Sequence, residues 1–382
     1  VKIFKLVLTL ILCVVLLAGC WDKVEIEDRL FVLAIGIDKV KEEEKLQPTD
    51  RYAINFVSPI VAALKDAGGK GGVGETFNTF KTVTSIFTFG LNQMYERMDK
   101  KLSFQHTRVL IFGEDLIKDE GLFREVLDAV GRSHEFHRNM YVFAVPGRAE
   151  EVFKIKPKYT SLLASYITGI AENNLYQSSI YKMPAYQMYD NLINFNGDTV
   201  IPSLRASEDE AKVSGVGIIK NYKLIGYLED KDSETLNWLN NSANGGLIAV
   251  KNNNIEVPYI YNDFNTTLML DKVEGDKIYL TYSMEAEGSA EEYTWGENLM
   301  EQKLLDTLEK SLEKTIEDRS KAVIDKFKNE FKVDLIGVNS YLRKHHESVY
   351  KSIEGDYESF FTNNMIINIK AKVSIRRVGT IE

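Results

Sequence analysis

The sequence is poor in cysteine, histidine and proline: 382 residues carry two, five and seven of them. Cys13 sits inside an apolar N-terminal run and Cys20 closes it, so no thiol beyond residue 20 can form a disulfide, bind a metal or act as a nucleophile. Stability must come from core packing. The histidines are badly spaced for metal. His134 and His137 stand three apart in Ser-His-Glu-Phe-His, and Arg138 occupies the place where a zinc-binding helix puts its second histidine. His106 and the adjacent His345 and His346 lack the cysteines or spaced carboxylates that would complete a site. Positive charge is in deficit, 47 basic against 56 acidic residues and a net charge of −9, which repels phosphate backbones and anionic headgroups. This argues against nucleic acid as a partner and against attachment through a polybasic patch.

Long apolar runs are also missing, with one exception. Lys2 and Lys5 precede an almost unbroken apolar stretch from Leu6 to Leu17, which leads into Ala18, Gly19 and Cys20. A permanent membrane span needs about 20 apolar residues, and here Trp21-Asp22-Lys23 arrives too early. The layout is that of a bacterial lipoprotein signal: a cationic end, an apolar core, and small residues that admit a peptidase before a cysteine. Leu17, Ala18 and Gly19 are the expected recognition residues, and the Cys20 thiol is the expected lipid carrier. Two acyl chains on Cys20, at about 0.8 kcal/mol per buried methylene, hold where one chain would be marginal.

Beyond the anchor the pattern alternates. Leu30 to Asp38 is apolar on both faces, as a buried strand should be, and Arg51 to Val57 alternates as its hairpin partner. Ala67 to Thr76 imitates an ATPase phosphate loop, but Glu75 replaces the lysine and would repel phosphate, so it reads as a flexible surface loop. A helix is expected over Thr82 to Lys101, a strand over His106 to Gly113, a helix over Leu122 to Gly131 and a strand over Met140 to Val145. Ser133 to His137 reads as a solvated helix end. Ser161 to Glu172 has helical spacing, and the character changes between Ile201 and Lys212.

Val213 to Leu228 reads as a hairpin around Asn221-Tyr222. Its Gly215 and Gly217 form no dinucleotide fingerprint, since Lys220 replaces the third glycine. Asp232-Ser233-Glu234 is expected to cap a short helix through Trp238, with strands at Leu247 to Val250, Phe264 to Leu270 and Lys277 to Met284 following. Glu297 to Phe331 carries Leu304, Leu308, Leu312 and Ile316 four apart, then Val323, Phe327 and Phe331: one long helix against a sheet, with a bend or narrower contact near Arg319-Ser320. Ile367, Ile369, Ala371, Val373 and Ile375 alternate with polar residues as a half-buried strand. The fold class is α+β (mixed α/β), in mixed sheets packed with helices.

Several blocks carry a family resemblance: Gly19-Cys20-Trp21-Asp22 with Glu25-Ile26, Phe31 to Lys39, Phe104 to Glu114, Gly215 to Trp238, Phe331 to Tyr341, and Val373 to Gly379. Together they make the chain resemble the C-subunit lipoproteins of spore germinant receptors, the Ger(x)C family. Near the C-terminal basic run His345-His346 stands where the family often has a proline. The resemblance implies three domains. The divisions expected here are a signal peptide at 1–19, an N-terminal α/β region at 20–205, a β-rich middle at 206–295, and a long helix with a strand at 296–382. It further implies a non-enzymatic subunit, without cofactor apart from lipid on Cys20. Its partners would be membrane-embedded A and B subunits, and its place the outer face of the spore inner membrane, where nutrients trigger germination. Direct contact with a small molecule is left open. The rival classes are a solute-binding lipoprotein, which needs a cleft between two lobes, and a surface hydrolase, for which neither a nucleophile elbow nor a metal cluster stands out.

Overall fold

The computed structural model describes residues 2–5, 25, 28–61, 76–207, 210–252, 255–290 and 302–378. Leu17, Ala18, Gly19 and Cys20 lie outside the described residues, as do most of the glycine-rich loop and Glu208-Asp209 of the acidic turn.

The first part of the chain runs β1 (Arg29–Phe31), β2 (Ala34–Lys39), β3 (Tyr52–Pro59), β4 (Phe77–Thr84), α1 (Phe87–Tyr95), β5 (Lys101–Ser103), β6 (Val109–Gly113), α2 (Glu114–Ile117) and α3 (Glu120–Arg132). It continues through β7 (Tyr141–Val145), α4 (Ala149–Val152), α5 (Leu163–Glu172), α6 (Ala185–Asn194), β8 (Thr199–Ala206), β9 (Ala211–Lys220) and β10 (Lys223–Leu228). Eight of these strands form one sheet in the order β10-β9-β8-β7-β6-β2-β3-β4. Its centre is parallel and its flanks are antiparallel hairpins. Strand β6 explains why the central runs are apolar throughout: Leu110 and Phe112 enter one core while Val109 and Ile111 enter the other. On the second face lie Ala149, Val152, Leu163 and Ile167, from α4 and α5. The sheet is therefore sandwiched by helices.

The expected helix over Thr82 to Lys101 is shorter than its periodicity suggested. Strand β4 extends to Thr84, pairing Thr82, Val83 and Thr84 with Ile54, Ala53 and Tyr52. β-Branched residues favour that ladder over a helical turn, and α1 begins only at Phe87. The hairpin β9-β10 turns at Asn221 and Tyr222, with φ of 50° and 61°, the left-handed pair that a tight hairpin requires.

The second part comprises α7 (Asp230–Leu239), β11 (Gly246–Asn252), β12 (Ile255–Glu274), β13 (Lys277–Ala290), α8 (Gln302–Asp325), α9 (Val338–His345), α10 (Glu347–Ile353) and β14 (Met365–Val378). Strands β11 to β14 form a four-stranded sheet in sequence order, with β14 parallel to β13. Helix α8 lies across it and buries Leu308, Leu312, Ile316, Val323 and Ile324. Burying each such side chain stabilises by about 1.5–3 kcal/mol. At Ser320 the stripe narrows, because this fully buried serine sits against Met284 of β13, 3.5 Å from its sulfur. The winding then loosens into a π turn over Lys326–Phe331.

Composition placed divisions at 205/206 and 295/296. In the structure the first falls inside β8, before its last residue, where β8 pairs with β9, and the second separates β13 from β14, also paired. One core cluster runs from Val32 to Val373 and includes residues of both large sheets.

The outer edge of β14 is covered by α8. Glu309, Glu313 and Glu317, one turn apart, accept the backbone N–H groups of Ile375, Val373 and Ala371 at 2.8, 3.2 and 3.0 Å. A free strand edge is thereby blocked by side chains.

Candidate functional site

An apolar-lined concavity lies between α3 and α6, with a volume of about 480 Å³. Helical spacing creates it. Arg124, Leu127 and Asp128 share one face of α3, and Ala185, Tyr189 and Leu192 share one face of α6. The Tyr189 hydroxyl donates to the Leu127 carbonyl at 2.8 Å and fixes the separation of the helices. Burial pushes that hydroxyl far above the usual phenol range. One wall is Tyr222, with the Arg124 guanidinium 4.3 Å from its ring centroid. The floor is apolar and the rim carries Arg124, Arg132 and Arg138.

Asp128, Ser133 and His137 in its lining are already engaged locally. Asp128 accepts from Arg132 at 2.7 Å, Ser133 accepts the Glu135 N–H at 3.2 Å, and His137 accepts the Asn139 N–H at 3.1 Å. Ser133 to His137 does follow the end of α3, although Phe136 is not solvated: it packs on Phe87 and Phe104 at ring distances of 6.3 and 5.3 Å. Among the described residues no three His, Cys, Asp or Glu side chains gather where they could hold a metal ion. No helix among them is long and apolar enough to cross a membrane.

Two buried carboxylates, Asp38 and Glu234, and the half-buried Asp334 organise the rest. Asp38, at the end of β2, accepts the N–H groups of Ala149 and Glu150 at 2.7 and 3.2 Å. Burial pushes its pKa up to about 6, opposed by those N–H groups and by the Arg148 charge. Around it Arg148 and Lys81 both bond Glu44 and Glu150, at 2.6 to 3.0 Å. Burial works against the ionised Glu44 and Glu150, but their cations hold both below the ordinary range.

Between the two sheets, Glu234 of α7 accepts from the Tyr261 hydroxyl at 2.8 Å and from Arg319 of α8 at 2.8 Å. Arg319 lies 4.2 Å from the Trp238 ring centroid, and Trp238 stacks on Phe264 at 5.2 Å. Asp232, Ser233 and Glu234 therefore do not cap α7. The helix begins at Asp230, and their side chains reach Lys326, the Ser179 carbonyl and Arg319. Asp334 accepts the N–H groups of Ile336, Val338 and Asn339 and the Tyr357 hydroxyl, and burial raises its pKa.

This architecture is shared with known proteins. A family model described as the spore germination protein N-terminal domain matches residues 22–206, and one described as spore germination B3/GerAC-like, C-terminal, matches residues 214–379. The chain belongs to this family. Spore germination protein YndF of Bacillus subtilis is 24% identical over 99% of this chain and 96% of its own length. Spore germination protein KC of the same organism is 23% identical, with coverage of 98% and 95%. The crystal structure of the GerBC protein superposes with a TM-score of 0.59 and 19% identity, over 90% of this chain and 98% of that one. The mixed α/β architecture is thus that of the Ger(x)C family of germinant-receptor C subunits. Asp334 and Tyr341 fall in the block Phe331 to Tyr341 that carried the resemblance, and there they act as structural keystones: the Tyr341 hydroxyl oxygen accepts the Leu270 N–H of β12 at 3.0 Å. Spacing gave no signal for Asp38, since a single aspartate ending an apolar strand looks like any strand terminus.

Proposed function

We propose that this chain is the lipid-anchored, non-enzymatic C subunit of a spore germinant receptor, acting in assembly or signalling beside membrane-embedded A and B subunits at the outer face of the spore inner membrane. The observation that carries this reading is the tandem match of both family halves across residues 22–379, directly after Leu17-Ala18-Gly19-Cys20. Cys20 is the lipid-bearing residue, and Leu17, Ala18 and Gly19 are read by the peptidase. The body then contributes surfaces and no cofactor chemistry. In accord with this, the buried carboxylates described above are engaged in holding loops and helices together.

The Cys20→Ala variant tests the reading. It should shift the protein from the detergent phase to the aqueous phase and slow nutrient-triggered germination. Unchanged partition would overturn the anchor. Co-purification from spore membranes should recover A and B subunits, with crosslinkers placed at exposed Tyr186 or Ile193. Trp238 is unsuitable for that purpose because it is fully buried.

A further inference from the structure

The net charge of −9 conceals a separation of charge along the N-terminal sheet. The parallel strands β2, β6 and β7 start together, in register at Ala34, Val109 and Tyr141. Segments 28–31, 95–108 and 132–140 meet at this end and hold seven Lys/Arg against four Asp/Glu, with three of the five histidines. At the opposite end, segments 39–51, 113–121 and 146–150 hold six Lys/Arg against nine Asp/Glu. Contacts confirm the grouping at the basic end. The Arg108 N–H donates to the Leu33 carbonyl at 2.9 Å, β1 pairs with β5, and the Tyr186 N–H donates to the Arg138 carbonyl at 2.9 Å. Glu135 lies close enough to Tyr95 to raise its hydroxyl pKa, after burial, which contributes most.

Lys101, Arg108 and Arg138 are exposed here. So are Tyr95 and Tyr186, at 40% and 47%. Tyrosine with arginine and lysine is the combination that suits a headgroup region, where a ring meets partly apolar surroundings and a cation meets phosphate. The tether leads to the same end. Seven residues separate Cys20 from Asp28, which directly precedes β1, and the eight extended steps between them span at most roughly 28 Å.

We propose that this basic end of the N-terminal sheet is the membrane-facing end of the body, where Lys101, Arg108 and Arg138 meet anionic phospholipid headgroups and Tyr95 and Tyr186 rest in the interface. The inference rests on Cys20 as the point of attachment. The acyl chains supply the hold, while the charge separation supplies orientation, repelling the acidic end from the same surface. Screening limits this effect to about 8 Å at physiological ionic strength, so orientation requires the basic end to sit close to the bilayer.

The test uses the full-length chain in vesicles of phosphatidylcholine with phosphatidylglycerol. A genetically encoded fluorescent residue is placed at His134 or, as the control at the acidic end, at Glu43. Quenching by headgroup-nitroxide lipid should be several-fold stronger at His134. The difference should shrink in high salt, in pure phosphatidylcholine, and in Arg108→Gln/Arg138→Gln, whose fold is checked by circular dichroism. Equal quenching at both ends, or stronger quenching at Glu43, would overturn the proposal, as would a His134 signal that salt and lipid charge do not move. The mass of the N-terminal peptide reports lipidation separately. If Cys20 is bare, the anchor reading fails, and a maleimide lipid coupled to that thiol restores the tether so that the same comparison still decides orientation.

Discussion

The carboxylate of Glu313, on helix α8, accepts the backbone N–H of Val373, on strand β14, at 3.2 Å. Together with Glu309 and Glu317 it converts an open sheet edge into a closed one. Removing one acceptor leaves a part-buried N–H unsatisfied, at about 1 kcal/mol. Glu313→Ala should lower the urea midpoint accordingly, and Glu313→Gln, which keeps an acceptor oxygen, should lose less. The triple alanine variant should also self-associate, since it frees three alternate donors along one edge. Light scattering at increasing protein concentration checks this, and a monomeric triple variant would show that the edge needs no cover.

Asp38 gives a pH-dependent expectation. Its folded pKa is raised to about 6 from 3.8, so between those values the folded state binds more protons than the unfolded one. Its contribution to stability is therefore fully present below about pH 4 and is lost as pH rises through about 6. The full effect is on the order of 3 kcal/mol. Relative to the parent, Asp38→Asn should gain stability between pH 4 and pH 7, as measured by chemical denaturation at each pH. A constant difference would mean that Asp38 does not titrate in this window. Asp198, also raised to about 6 by burial, keeps part of the slope in the variant.

Gly113 touches the same carboxylate. A Cβ there would collide with Asp38 Oδ1, and the listener to that collision is the turn at Ala149, whose N–H the carboxylate holds. Gly113→Ala should cost about 1–3 kcal/mol in thermal or urea unfolding, within the range for overpacked sites.

Arg319 joins α8 to α7 through Glu234, whose side chain is 6% exposed. Breaking a buried pair from one side leaves a charge uncompensated, at about 3–5 kcal/mol. Arg319 is itself 22% exposed, which places Arg319→Ala at the lower end, about 3 kcal/mol. Arg319→Ala with Glu234→Gln should recover part of that loss. A double-mutant cycle by denaturant unfolding measures the coupling, and strict additivity would deny it.

Much of the fold was legible where one pattern had one solution. Val109 to Phe112 is apolar at every position, and the structure feeds alternate residues into two cores. The Leu308, Leu312 and Ile316 stripe lies on the sheet as its spacing implies. Thr82 to Lys101 misled because Thr82, Val83 and Thr84 are decided by pairing with β3, a contact across the sheet that local periodicity does not contain. The apolar stripe of α8 carries no sign that three glutamates beside it bind strand donors. Charge separation was hidden for the same reason: a total adds residues that the fold places at opposite ends. The groove between α3 and α6 also depends on helices far apart in sequence.

The parallel pairing of β13 with β14 joins Ile278 to Met365 across 87 positions of chain. Until Met365–Val378 arrives, the flank of β13 lacks its neighbour and the Glu309, Glu313 and Glu317 side chains have no edge to close. Contacts this distant in sequence form slowly. A growing or newly released chain therefore passes through a stage with a long adhesive strand exposed. Substitutions in β14 should be felt first as lost yield, before they register as lowered stability in the molecules that do finish.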